Sequence, residues 1–224
     1  MAVSGGRRAR DVVLGVLASG RGTNLQAIID ATISRQIPAR LAVVLSDRED
    51  AKALERAREA GIEALHIPPG RFKTKLEPEI ELKYAQALKD RNVELVLLAG
   101  FMRVLHGNFL SAFHNRIMNI HPSLLPSFPG LKAQTQAWEY GVKIAGCSVH
   151  LVNDMVDGGP IILQAAVPVT EDDTPDTLAD RILKEEHRCY VEAVRLYCEG
   201  RLRLDGRRVR VLADHGADPA GGGG

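Results

Sequence analysis

Asn119 and His121 stand two residues apart in the short apolar run Ile117-Met-Asn-Ile-His121, just ahead of Pro122-Ser-Leu-Leu-Pro-Ser-Phe-Pro-Gly130. In a strand, residues two apart share a face, so an amide and an imidazole are presented side by side at its carboxyl end. A neutral donor beside a titratable one suits a site where negative charge appears on a carbonyl oxygen. The prolines and the glycine of 122–130 forbid regular structure there. A second polar knot, His150-Leu-Val-Asn-Asp-Met-Val-Asp-Gly-Gly-Pro160, can supply a carboxylate to the imidazole. Asp154 and Asp157 both qualify, and spacing does not choose between them. Ser148 and His150 alternate on one strand face, which fits a shared pocket or ordinary strand polarity equally well.

Each residue has a plainer reading. Asn119 could tie down the Pro-rich loop, His121 could be a core imidazole bonded to backbone, and Asp157 could be a turn residue before Gly158. Their convergence at the end of an interior strand of an open α/β sheet, where ligands usually bind, favours function.

A further motif, Ala18-Ser-Gly-Arg-Gly-Thr-Asn24, joins a strand directly to a helix. Gly20 and Gly22 let the backbone turn and approach a ligand, Thr23 and Asn24 are good N-cap types, and Arg21 is close. The loop is neither a Walker A element nor a full dinucleotide fingerprint, because Leu25 occupies the third glycine's place. A phosphomonoester therefore fits better than a pyrophosphate. A tight, well-capped turn would use the same residues.

The elements that must position these groups alternate along the chain. Apolar runs at Val12 to Ala18, Leu41 to Leu45, Ala64 to Ile67 and Leu95 to Ala99 read as buried strands. Helical patterns fall between them, at Asn24 to Ile33, Ala51 to Ala60 and Pro78 to Arg91. That order implies a parallel, doubly wound sheet buried on both faces. Strands at Ile117 to Ile120, Lys143 to Val152 and Ile161 to Val169 follow, the last two joined by a loop that allows antiparallel pairing. A long helix spans Thr177 to Cys198, and Leu202 to Leu212 alternates around the turn pair Asp205-Gly206. A single α/β domain over 11–212 is expected, between a disordered basic tail (1–10) and a disordered Gly-rich tail (213–224).

Composition agrees with a soluble enzyme. The 224 residues are 45% hydrophobic and 25% charged, enough for a substantial core. A net charge of +1 and only 4% aromatic residues argue against a nucleic-acid partner. The first apolar run is too short to span a membrane, so no membrane partner and a cytoplasmic location are expected. Cys147, Cys189 and Cys198 lack a disulfide or metal-ligand spacing and read as small core residues. No metal is expected.

The motifs Ser-Gly-Arg-Gly-Thr-Asn-Leu-Gln (19–26), Leu98-Ala-Gly-Phe-Met-Arg-Val-Leu105, Asn119-Ile-His-Pro-Ser-Leu-Leu-Pro126, Phe128-Pro-Gly130 and Val156-Asp-Gly-Gly-Pro160 occur in this order. Together with Glu185-Glu-His187 of the last helix, they make the chain resemble, over about 11–204, the folate-dependent phosphoribosylglycinamide formyltransferases. The resemblance implies a Rossmann-like formyltransferase fold. It also implies transfer of the formyl group of 10-formyltetrahydrofolate, a co-substrate, to the amine of glycinamide ribonucleotide.

By that resemblance Asn119 is the oxyanion donor, His121 the catalytic imidazole, and Asp157 the carboxylate that assists it and helps shuttle the amine proton. Gly22, Thr23 and Asn24, with Arg21, match the nucleotide-phosphate loop, and Glu186 matches a residue that meets the ribose. Met102, Arg103, Val104 and Leu105, together with Asn153, Asp154, Met155, Val156 and Asp157, match two segments that embrace the pterin, with Asn119 beside them. Lys75 stands where relatives often carry an Arg for the folate tail, a point charge in place of a fork. Leu183 replaces a polar residue near the nucleotide, and Lys184 is its nearest polar neighbour. The resemblance is compatible with a monomer or a homodimer. A formyltetrahydrofolate hydrolase would carry an N-terminal regulatory domain, for which a first strand near residue 12 leaves no room. A methionyl-tRNA formyltransferase would need a second, basic domain. A non-catalytic nucleotide-binding module is the rival from another class.

Overall fold

A computed structural model describes residues 10–213. The tails expected over 1–10 and 213–224 lie, apart from Arg10 and Ala213, outside the described residues. The chain runs β1 (Val12–Leu17), α1 (Thr23–Ile33), β2 (Ala39–Ser46), α2 (Lys52–Glu59), β3 (Glu63–His66), α3 (Pro78–Lys89), β4 (Leu95–Leu98) and α4 (Gly107–Ala112). It continues as β5 (Ile117–His121), α5 (Ala133–Tyr140), β6 (Ile144–Leu151), β7 (Ile161–Pro168), α6 (Pro175–Cys198), β8 (Leu202–Asp205) and β9 (Arg208–Val211).

One seven-stranded sheet has the order β3-β2-β1-β4-β5-β6-β7, and β8 and β9 form a separate hairpin. The first five strands are parallel, while β6 and β7 run antiparallel, as expected. Period-two alternation sends Val12, Leu14 and Val16 of β1 to a core shared with Leu25 and Ile28 of α1 and Ile182 and Tyr190 of α6. Val13 and Leu17 go to the opposite face, with Tyr84 and Leu88 of α3 and Phe109 of α4. Burial on both faces is why these strands read as unbroken apolar runs. All three cysteines are buried. Among the described residues no helix is long and apolar enough to cross a membrane.

The structure departs from the sequence reading at several element boundaries. Helices α4 and α5 are additional; α5 buries only Ala133 and Ala137, too small an apolar stripe to announce a helix. Helix α6 starts at Pro175 rather than Thr177, with Thr174 as N-cap in a capping box with Thr177. The hairpin turns one residue later than expected: Asp205 pairs with Arg208, leaving Gly206 (φ 59°) and Arg207 as the loop.

Strand order reverses about β1, whose neighbours are β2 and β4. The carboxyl ends of β1, β4 and β5 therefore open onto the crevice where this architecture receives ligands.

Candidate active site

A cavity of about 630 Å³ occupies that crevice. Asn119 and His121 enter it from the end of β5, and antiparallel pairing sets His150 of β6 directly opposite Asn119. For His150 the sequence leaves a shared pocket and ordinary strand polarity equally open; the structure places it in the cavity lining, in contact with Asn119. Its Nδ1 lies 3.0 Å from the Leu151 carbonyl, which can only accept, so Nδ1 carries the proton. Nε2 is then free to accept from Asn119 Nδ2, 3.1 Å away. This bond fixes which way the Asn119 amide points and leaves its second N–H for another oxygen.

Asp157 approaches both imidazoles. Its Oδ2 is 3.4 Å from His121 Nδ1, and its Oδ1 is 3.6 Å from His150 Nε2 and 3.5 Å from Asn119 Nδ2. The Gly130 N–H donates to Oδ2 at 2.8 Å. Burial pushes the Asp157 carboxyl up, but the two neighbouring imidazoles and the Gly130 N–H outweigh it and hold it below the ordinary carboxylate value. Asp154 lines the cavity but is exposed, so Asp157 is the carboxylate at the imidazoles.

The plainer reading of His121 also holds in part, since its Nε2–H donates to the Phe128 carbonyl at 2.9 Å. That leaves Nδ1, facing Asp157, as the nitrogen able to exchange a proton. Phe128 and Asp157 both take left-handed backbone conformations (φ 52° and 50°). Such strain in non-glycine residues gathers where function requires it. Ser148, by contrast, is structural. Its hydroxyl accepts from Leu125 N–H (3.0 Å) and Gln164 Nε2 (2.8 Å) and donates to the Ser123 carbonyl (2.7 Å), fastening the Pro-rich loop to β6. The Leu125–Pro126 bond in that loop is cis. Gly159 packs where a Cβ would collide with the Leu151 carbonyl, so the 153–159 turn closes tightly under His150.

The loop 20–24 borders the same cavity. Gly22 caps α1 in the left-handed conformation with no side-chain cap, which corrects the expectation that Thr23 or Asn24 caps it. The glycine is required, because φ is 71° and a Cβ would meet Ala53 Cα at 2.8 Å. The first helical bond runs from Gln26 N–H to the Gly22 carbonyl. The amides of Thr23, Asn24 and Leu25 thus have no partner within the helix, the arrangement that binds anions. Asn24 Nδ2 donates to Glu186 Oε2 at 2.7 Å. Burial pushes the Glu186 carboxyl up, opposed by the Asn24 bond and the charge of Arg21.

Arg21, Thr23, Met102, Arg103, Val104, Leu105 and the 153–157 segment all line the cavity. Met102, Met155 and Val156 are exposed apolar side chains there, suited to a flat heterocycle. Lys75 is not in the lining; its ammonium sits 4.7 Å from the Phe72 ring, and Thr74 lines the cavity instead. Leu183 lines the cavity, and the exposed Lys184 does not. Lys132, Gln134 and Asp180 also line it and went unnoticed, having no spacing pattern to mark them. Among the described residues no three His, Cys, Asp or Glu side chains converge as a metal site.

A model of the formyl transferase family matches residues 13–194. The chain belongs to that family. It is 43% identical over 201 residues to phosphoribosylglycinamide formyltransferase of Escherichia coli K12, covering 87% of this chain and 94% of that one. Glycinamide ribonucleotide transformylase 1 from Symbiobacterium toebii superposes with a TM-score of 0.88 at 57% identity, covering 92% and 96% of the two chains. A formyltetrahydrofolate deformylase from Pseudomonas syringae reaches a TM-score of 0.85 at 23% identity, over 92% of this chain and 67% of that one. That last likeness speaks for the fold of this formyl transferase and no further.

Proposed function

We propose that this chain is a phosphoribosylglycinamide formyltransferase of purine synthesis, acting in the cytoplasm. It would move the formyl group of 10-formyltetrahydrofolate to the primary amine of glycinamide ribonucleotide. One observation carries the reading: Asn119, His121 and Asp157 meet in a cavity that also takes in residues 20–24. Free amides at the start of α1, with Arg21, hold the nucleotide phosphate, and Glu186 accepts from the ribose hydroxyls. The formyl folate supplies the one-carbon unit and lies against Met102, Val104, Leu105 and the 153–157 turn.

As the amine adds to the formyl carbon, charge develops on the formyl oxygen. Asn119 donates to it through the N–H that His150 leaves free, and His121 adds positive charge when protonated. Asp157 and His121 Nδ1 relay the proton that the amine loses to the departing folate nitrogen. The loop 20–24 on the cavity supports this assignment: a phosphate loop has no purpose in an enzyme that delivers the formyl group to water.

The test mixes purified protein with glycinamide ribonucleotide and 10-formyltetrahydrofolate and follows tetrahydrofolate release. Release that requires the nucleotide is expected. Release without it would make the protein a hydrolase, and no release would leave a nucleotide-binding module; either result overturns the proposal.

A further inference from the structure

Arg103 belongs to the segment that walls the cavity, but its guanidinium is engaged by the protein itself. Nε donates to Asp47 Oδ2 at 2.7 Å, and Nη1 donates to the Phe72 carbonyl at 2.9 Å and to the Lys73 carbonyl. Asp47 is buried, its side chain 1% exposed, and Arg103 is partly buried at 16%. Three segments distant in sequence therefore meet at one guanidinium: the end of β2, the 68–77 loop and the 99–106 loop. Neither loop has a helix or strand of its own beyond the bridge between Lys75 and Val104. Further single bonds hold them, from Val104 N–H to the Thr74 carbonyl (2.8 Å), from Met102 N–H to Ser19 Oγ (2.9 Å), from Ser19 N–H to the Gly100 carbonyl (3.1 Å), from His106 N–H to Glu81 Oε1 (2.8 Å) and from Arg71 to Glu77. None of these except the first joins one loop to the other. Loops without an internal ladder keep one shape only when outside groups fix them. A planar guanidinium can serve several acceptors at once, which an ammonium does less well.

Asp47 does not line the cavity, and no step of the reaction uses it. We propose that Asp47 is a positioning residue: by fixing Arg103 it sets the shape of the wall, residues 101–105 with Thr74, that receives the formyl donor. Only the identity of that ligand rests on the proposed function; the ordering of the two loops does not.

Two readouts test this on the full-length protein. In Asp47→Ala, hydrogen exchange at the Met102 and Val104 amides should quicken by on the order of tenfold or more, with the amides of β1 and β4 unchanged. The KM for 10-formyltetrahydrofolate should rise about 10- to 100-fold, while kcat and the KM for the ribonucleotide stay within about twofold. If Asp47→Ala does not fold, Asp47→Asn tests the same point with smaller shifts in the same direction. Unaltered exchange at both amides, or an equal rise in both KM values, overturns the proposal. A wild-type protein without transferase activity would sink the proposed function and leave the exchange result to decide this one.

Discussion

Replacing Glu186 with Gln should stabilise the ligand-free protein and weaken nucleotide binding together. The Glu186 carboxylate is buried and accepts one hydrogen bond, from Asn24 Nδ2 at 2.7 Å. Across the same contact, Asn24 Oδ1 is buried with no donor, and a carboxylate has none to offer. Gln keeps an oxygen for Asn24 Nδ2 and brings an amide N–H able to reach Asn24 Oδ1. Satisfying a buried acceptor is worth about 1–3 kcal/mol, and removing a desolvated charge acts in the same direction. At roughly 2–4 °C per kcal/mol for a domain of this size, the Tm at neutral pH should rise by about 2–10 °C.

The pH dependence follows from the direction of the shift. A carboxyl pushed up by burial costs stability only when ionised, so wild type falls behind the variant as pH rises through the folded-state pKa. Below about pH 4 the two should converge, since a protonated Glu186 can itself donate to Asn24 Oδ1. Under the proposed function the same change removes a charged acceptor from the ribose, worth about 1.5–3 kcal/mol, or roughly 10- to 100-fold in the KM for the ribonucleotide. Thermal melts across this pH range and steady-state kinetics measure both effects. A variant Tm at or below wild type throughout, with an unchanged KM, would refute the reasoning.

Asn119→Ala should lower kcat about 10²- to 10³-fold with little change in nucleotide KM, as expected for one oxyanion donor; a loss confined to nucleotide binding would remove Asn119 from that role. His121→Ala should cut turnover by several orders of magnitude, and near-normal turnover would contradict the proton relay. Because the Asp157 carboxyl is held low, its stabilising contribution is complete above its unfolded value of about 3.9 and is lost as pH falls through the lower folded value. In urea unfolding, the gap between wild type and Asp157→Asn should be flat above about pH 5 and close below about pH 4; a gap that persists undiminished in acid would count against this. Tyr190 OH lies 3.0 Å from the Leu98 carbonyl and 2.9 Å from that of Met118, bridging the ends of β4 and β5. Tyr190→Phe leaves a buried carbonyl short of a donor, at about 1–3 kcal/mol, so a Tm drop of roughly 2–10 °C is expected and an unchanged Tm would dismiss the bridge.

The parts legible in sequence are those fixed by local periodicity. Strands buried on both faces announce themselves as apolar runs, and two residues at a strand end share a face wherever the strand lies, so Asn119 and His121 stood out. The choice of Asp157 over Asp154 depends on a left-handed turn and on the Gly130 N–H, 27 residues away in the chain, neither of which has a sequence signature. His150 needed the antiparallel register of β5 and β6. Arg103 lines the cavity as the family resemblance implies, and nothing local reveals Asp47, 56 residues earlier, as its partner. Lys75, matched to the folate tail by the family resemblance, lies over the Phe72 ring and outside the lining, a placement with no sequence signature. The start of α6 was legible in principle: Thr174-Pro175 is a cap followed by a proline in the first turn, but the apolar pattern begins later and masked it.

The carboxylates at the two parts of the cavity are in opposite states before any substrate arrives. Asp157 already accepts from the Gly130 N–H and lies beside two imidazoles, and its carboxyl is held low. Glu186 is held high by burial, and the amide bonded to it has an oxygen without a donor. Groups that act on developing charge gain most when their geometry is set beforehand, because no reorganisation is then needed during the reaction. Groups that bind can instead be left short of partners, since a ligand that supplies hydroxyl donors relieves the deficit and binds more tightly for it. The part of the cavity around Asn24 and Glu186 is thus where the free protein gives up stability, and it is there, rather than around Asp157, that a stabilising substitution should cost affinity.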